Sequence, residues 1–282
     1  MSNRLDKDPY YYALYGLPDA AFSTIRSDLH RMRRHALNPF FTLKEIQVLS
    51  QKIQALSERL TDRMKLCQKS GEPIPLFFAY RCLSVDLISE HIFGRPIGLL
   101  DRDDWGKSFY AAWRSTWDLS PLLRQLPWLL EFLINIPHSL AKVVSPEVID
   151  VVELRDTIVA WTKEIIEEKE QDVDGKEGKE DLRECVVKRL SKSELLPPHE
   201  KTVKRIATEV HTLFGAGFET TGAVLTHMTF MVLSHRHVYD KLMKELQEAI
   251  PDPEAIPPWQ TLEKLPYLFA VVKESLRLVS MF

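Results

Sequence analysis

Residues 213–221, Leu-Phe-Gly-Ala-Gly-Phe-Glu-Thr-Thr, interrupt a stretch whose apolar residues otherwise recur at helical spacing. Ile206, Val210, Leu213, Phe214, Val224, Leu225, Met228, Met231 and Val232 predict a helix over about 201–235 that is apolar around most of its circumference, as a helix crossing the middle of a domain must be. Inside it each Gly costs about 0.5–1 kcal/mol relative to Ala, and the adjacent threonines add χ1 crowding and competing hydrogen bonds. Two physical reasons would offset that cost. Small residues at Ala216 and Gly217 let a bulky planar ligand approach the backbone, with Thr220 loosening the helical ladder and Glu219 acting as a desolvated proton carrier. Alternatively they let a second helix pack close, with Thr220 bonded back to its own helix and Glu219 at an edge. The residues by themselves leave both open.

Outward from this segment the 3.6-residue period continues. It predicts helices from about Leu43 to Cys67, ended by Lys69-Ser70-Gly71-Glu72-Pro73, from Leu76 to Ile92, ended at Gly94, and around Trp105 to Thr116. The Pro-interrupted apolar stretch 121–137 reads as short helical pieces. A long helix over 146–170 leads into the polar, charged segment from Glu168 to Asp181, which reads as a solvated loop, and helix resumes from about Asp181 to Ser191. Beyond the central helix, residues 237–250 and 265–278 are amphipathic helices, the second with Pro266 in its first turn. No strand and no repeat emerges, so the fold class is mainly α, with residues 1–282 as one helical domain.

Composition narrows the function classes. A formal net charge of -3 offers no global basic field, so nucleic acid is not an expected partner, although Arg26, Arg31, Arg33 and Arg34 against Asp28 form a local basic patch. Cys67, Cys82 and Cys185 are odd in number and widely spaced, which suits reduced thiols, and they show no metal-ligand spacing; no metal site is expected. The most apolar region, 119–136, is broken by Pro121, Arg124, Pro127 and Glu131, so no transmembrane helix is expected. Within it, Pro127 to Ile136 clusters Trp128, Leu129, Leu130, Phe132 and Leu133 densely enough to suggest a peripheral membrane contact or an access segment, against the plainer reading of buried core.

Two charged pairs complete the inventory. His30 and Arg34, at i and i+4, project from one helix face and suit either a solvated basic helix end or a clamp for anionic groups. Glu274 and Arg277, at i and i+3, read by default as a surface pair contributing about 0.2–0.5 kcal/mol.

Taken in order, "HRMRRHALNPFF" at 30–41, "GAGFETT" at 215–221 and "LPYLFAVVKESLRL" at 265–278 resemble the cytochrome P-450 family of heme-thiolate monooxygenases, in particular its fungal members. The resemblance spans about Tyr10 to Leu278 and implies the central helical portion of that fold, from helix C to helix K. It implies heme as cofactor, with His30 and Arg34 as propionate contacts, His30 standing where many members have Trp. Ala216 and Gly217 would border the oxygen-binding groove, Glu219 and Thr220 would be the acid–alcohol pair that delivers protons, and Thr221 an accessory hydroxyl. Glu274 and Arg277 would be the structural lock of helix K. The implied activity is oxidation of a hydrophobic small molecule, a terpenoid or polyketide, in fungal secondary metabolite biosynthesis, with an NADPH-dependent reductase as partner and the cytosolic face of the endoplasmic reticulum as location if a full-length form carries the family anchor.

The chain departs from the family pattern at both ends. The glycine-framed loop F-x-x-G-x-R-x-C-x-G, whose Cys thiolate binds iron, does not occur, and Cys67, Cys82 and Cys185 all precede the Glu274-Arg277 motif. The family's anchor, first strands and helices A and B would precede residue 1. The expectation is therefore an incomplete domain, lacking the N-terminal sheet and proximal region and inactive as written; the alternative is a non-catalytic remnant or helical interaction module.

Overall fold

The computed structural model describes residues 5–12, 17, 19–126, 128–129, 146–168, 185–252 and 255–279, and among these the regular elements are helices, with no strand. They are α1 (Pro9–Tyr12), α2 (Ser27–Leu37), α3 (Leu43–Ser70), α4 (Leu76–Phe93), α5 (Lys107–Gln125), α6 (Pro146–Glu167), α7 (Val186–Ser191), α8 (Val203–Ser234), α9 (Arg236–Ala249), α10 (Trp259–Leu262) and α11 (Pro266–Leu278). The helices begin and end for local reasons. Thr42 and Thr202 accept N–H bonds from Glu45 and Arg205 to cap α3 and α8. Gly71 and Gly94 close α3 and α4 in the left-handed conformation, φ 76° and 72°, which costs a residue with a Cβ about 1 kcal/mol or more.

Two sequence expectations are corrected. Trp105 does not start a helix: its own backbone is left-handed, φ 55°, and the helix begins only at Lys107. Pro121 does not break it, and α5 runs on to Gln125. Proline removes only the rung to residue 117, and the last turn still closes through Leu126 N–H to the Leu122 carbonyl at 2.9 Å. The segment 127–136 lies outside the described residues except for Trp128 and Leu129, as does the charged segment except for Glu168. The described part of the helix expected from Asp181 begins at Val186.

The 32-residue α8 is the longest described helix, as its continuous apolar surface predicts, and it lies against α4, α6, α7, α9 and α11, with α4 as its most extensive neighbour. Three glycines allow that approach. A Cβ at Gly215 would fall 2.3 Å from the Trp113 ring, one at Gly217 2.7 Å from Ile88 Cγ1, and one at Gly222 2.7 Å from Arg81 Cγ. Around them Phe109, Trp113, Phe214 and Phe218 form an edge-on aromatic cluster, with Trp113 and Phe218 ring centroids 4.9 Å apart.

Two buried charges pin the connections. Asp86 of α4 accepts the N–H groups of Gly98, Leu99 and Leu100 at 2.8–2.9 Å, fixing the turn that returns the chain toward α5; burial pushes its carboxyl up, against the opposing pull of those three bonds. Lys188 of α7 donates from Nζ to the carbonyls of Ile165 and Glu168, both at 2.8 Å, and so ties α7 to the C-terminal end of α6.

Gly215→Ala tests the packing. In an unencumbered helix it would stabilise by about 1 kcal/mol; against Trp113 the added methyl should instead lower stability by about 1–3 kcal/mol in urea denaturation. A net gain would contradict the close approach.

Candidate functional site

The site residues are best followed from α2. Arg33 points inward, where its Nε and Nη2 each lie 2.8 Å from the Glu200 carboxylate and its Nη1 donates to Thr24 Oγ1 at 2.9 Å. Arg205 of α8 donates to the same Glu200 at 2.8 Å and to Glu209 at 2.6 Å, and Glu209 also accepts the Ala21 N–H at 3.0 Å. All four side chains are buried, and Arg205 Nη1 has no hydrogen-bond partner among the described residues. Burial would raise the Glu200 carboxyl, but the hydrogen bonds from Arg33 and Arg205 outweigh it and hold it below the usual carboxylate range.

With Arg33 turned in, Arg34 is turned out. Arg34 is exposed and has no acidic partner among the described residues; with His30, Arg31, His35 and Asn38 it lines an open depression of about 850 Å³. His30 is half-buried, its Nδ1 2.7 Å from the Ala21 carbonyl. His30 and Arg34 are thus brought together. The α8 residues do not line this depression.

On α8, Ala216 is exposed, and Thr220 Oγ1 donates to the Ala216 carbonyl at 2.9 Å. Thr221 is exposed as well, whereas Gly217 is turned toward Ile88. Glu219 is not an unpaired acid: Arg81 of α4 reaches its carboxylate with Nη2 at 2.6 Å and Nε at 3.4 Å. Arg81 is 7 % exposed and Glu219 34 %, and the guanidinium stacks 3.7 Å above the Phe77 ring. Burial and the Glu219 charge push the neighbouring Tyr110 phenol up. On α11, Glu274 and Arg277 pair at 2.5 and 2.7 Å in the open, and Glu245 of α9 holds the start of that helix by accepting the Tyr267 and Leu268 N–H groups.

The residues present fit one half of a heme site. The depression is lined by one acid, Asp28, which is paired with Arg26, and the Arg34 guanidinium, without an acidic partner among the described residues, suits a carboxylate. The cysteines do not supply the other half: all three are buried, and none lines the depression that holds His30 and Arg34. Sequence reasoning missed Arg81, Glu200, Arg205 and Glu209 altogether and read Arg33 only as part of a basic patch. The apolar neighbours of Arg33 at helical spacing, Leu29, Ala36 and Leu37, were the one available signal, and Arg205, with Lys201, Thr202, Thr208 and Glu209 at those spacings, gave none.

Comparison with known proteins places these features in context. A family model described as cytochrome P-450 matches residues 2–282. Tryptophan 6-hydroxylase fscE of Fusarium equiseti is 32% identical over 277 residues, 98% of this chain and 53% of that protein. N-acetyltryptophan 6-hydroxylase ivoC of Emericella nidulans is 31% identical, over 94% of this chain and 51% of its own length. The crystal structure of the cytochrome P450DA heme domain matches with a TM-score of 0.69 at 17% identity, covering 97% of this chain and 56% of that one, a likeness of fold. The chain spans about half the length of the curated relatives it matches.

Two measurements probe the buried charges. Glu200→Gln strands two buried guanidinium groups and should cost about 3–5 kcal/mol at pH 7. Because the folded carboxyl titrates below its unfolded value, its contribution is complete above about pH 4.3 and drains away as pH falls through the folded value, so the gap between variant and wild type should narrow in acid; a gap that widens would contradict it. For Arg81 and Glu219, a double-mutant cycle with glutamine at each position should give a coupling of about 1 kcal/mol, modest because the carboxylate is one-third exposed. Zero coupling would mean the pair is not held in solution.

Proposed function

The chain belongs to the cytochrome P-450 family, and from that premise we propose that it serves a heme-dependent monooxygenase that oxidises a hydrophobic small molecule in fungal secondary metabolism. The observation that carries this reading is the family match across residues 2–282, which takes in the α2, α8 and α11 motifs together. Heme, when bound, supplies the oxidising chemistry. In this reading His30 and Arg34 hold its carboxylates, Ala216 and Gly217 border the distal groove, and Thr220 keeps a proton at Oγ1 beside the Ala216 carbonyl. Glu219 resupplies that proton, with Thr221 as a further hydroxyl, and Arg81 sets where the carboxylate rests. Glu274 and Arg277 act as a structural lock.

The names of two relatives, hydroxylases of tryptophan and N-acetyltryptophan, add indole-bearing amino acids to terpenoids and polyketides as substrates worth testing. For a full-length form, an NADPH-dependent reductase is the proposed electron donor, and the cytosolic face of the endoplasmic reticulum the proposed location if that form carries the family anchor. No helix among the described residues is long and apolar enough to cross a membrane. Peripheral contact through Pro127 to Ile136 is proposed, with Trp128 62 % exposed.

A second reading, a non-catalytic helical module, is favoured by the glycine contacts with Trp113, Ile88 and Arg81, which account for Gly215, Gly217 and Gly222 by packing, and by the burial of all three cysteines.

Spectroscopy separates the two. Because none of Cys67, Cys82 and Cys185 is placed to bind iron, the reduced carbon-monoxide complex of residues 1–282 with hemin should lack the red-shifted Soret band of thiolate ligation and should turn nothing over. The same chain extended by a family-type segment bearing the Cys loop should show that band, and Thr220→Ala in it should keep the band while product per NADPH consumed falls about tenfold or more. An extended chain that binds no heme would favour the helical module, and a thiolate spectrum from residues 1–282 alone would overturn the exclusion of its three cysteines.

A further inference from the structure

Away from the site just described, a histidine is built into the junction where α3, α4, α7 and the turn after α2 meet. His91 lies in the last turn of α4. One of its ring nitrogens faces the carbonyl of Phe40, in the 3-10 turn Asn38–Phe41 that joins α2 to α3. The other, Nε2, is buried and has no hydrogen-bond partner among the described residues. A carbonyl only accepts, so the nitrogen that faces it carries the hydrogen and Nε2 keeps a bare lone pair. The Phe41 ring completes the contact, edge-on with 6.3 Å between centroids. Arg189 of α7 also holds this turn: its guanidinium lies 4.7 Å from the Phe40 ring centroid, and its Nη1 donates to Glu45 at 2.8 Å.

A neutral imidazole fits this place and an imidazolium does not. Protonation puts a hydrogen on Nε2, where no acceptor waits among the described residues, and a buried charged donor left unpaired is costly. The charged groups that bear on the ring are Glu45 and Lys52 on α3 and Arg189 on α7; on α4 itself, Glu90 lies 3.5 Å from Lys52. Glu45, the acid that would welcome the proton, is already bound by Arg189. Burial lowers the imidazole; the Glu45 charge and the Phe40 carbonyl oppose it, and the Arg189 and Lys52 charges reinforce it. His91 is only half-buried, so a charged ring has water to turn to. We propose that His91 is an acid-sensitive latch: neutral, it holds the turn Asn38–Phe41 against the end of α4, and protonated, it leaves its pocket and frees the junction between α2 and α3. With the folded imidazole lowered, the released form takes the proton more readily, so the latch is complete above the ordinary imidazole value of about 6.5 and weakens as pH falls through the folded value. Asn38, which starts the turn, lines the depression together with Arg34, so the latch bears on that rim whatever occupies it.

Hydrogen exchange read by mass spectrometry on the full 282-residue chain, corrected for the intrinsic pH dependence of exchange, tests the latch. Between pH 7.5 and 5.0, peptides spanning residues 38–46 should lose protection several-fold, and by no more than about thirtyfold, the ceiling that about 1.5 pH units below a free imidazole sets. The α8 core around Phe214 and Phe218 should keep its protection over the same range. His91→Asn, whose amide nitrogen takes the place of Nδ1 as a donor without taking up a proton, should hold the turn at both pH values, and His91→Ala should leave it loose at both. In the wild type, the His91 ring resonance, assigned through the backbone, should titrate below about 6.5, and the depth of the loss at pH 5.0 should match the gap between its midpoint and that value. Unchanged protection in the wild type overturns the inference, as does a loss that survives His91→Asn, or one shared equally by α8, which would mean that the whole domain opens. If neither variant folds, the wild-type titration still decides: a His91 midpoint at or above about 6.5 rules the latch out.

Discussion

Two arginines and two glutamates, buried together between α2 and the first turns of α8, set the register of everything on the basic side of the molecule. Taking four charges out of water costs several kcal/mol for each ion, and the cost is offset only where the geometry satisfies nearly every donor and acceptor. Here Glu200 receives both Arg33 and Arg205, and Glu209 receives Arg205 and the Ala21 N–H. A shift of α2 by one residue would break several of these bonds at once. Successive helical positions differ by about 100°, so an inward Arg33 leaves Arg34 outward and His30, one turn earlier, beside it. The position of the rim is a by-product of a buried network that does not itself line the depression.

The contact between α4 and α8 works by a different constraint, that of size. Gly222 leaves room for the stem of Arg81, and the head of that side chain then reaches Glu219, one turn back along α8. One missing side chain thus determines where an acid's charge is held. The glycines of the 213–221 segment face packed neighbours, while Ala216 and Thr221 face outward. Helix packing, one of the two reasons weighed for that segment, accounts for its glycines, and the outward face carries Ala216 and Thr221.

The long helices were legible because each buries one stripe over many turns, and periodicity survives averaging over such lengths. Leu43–Ser70, Leu76–Phe93 and Val203–Ser234 match their predicted extents within a few residues. Short-range signals served less well: a proline near the end of α5 reads as a break, yet it removes only one rung of an already established helix. The motif residues were found because each lies in a compact run of sequence. Their partners were not, since Arg33 and Glu200 are 167 positions apart and Arg81 and Glu219 are 138 apart. Nothing local distinguishes a buried arginine from the exposed one beside it. Arg33 and Arg34 are the same residue type, and only the glutamate that arrives from the short 3-10 turn Pro198–Glu200 tells them apart.

The Lys188 ammonium, shared between the carbonyls of Ile165 and Glu168, fixes the distance between the end of α6 and the start of α7 irrespective of what joins them in sequence. Once the two ends are pinned, doubling the length of a flexible connection costs only about 0.6 kcal/mol. The two helix ends are therefore held together by the interior of the protein itself. A single buried amine thereby uncouples the length of the chain from the geometry of the domain.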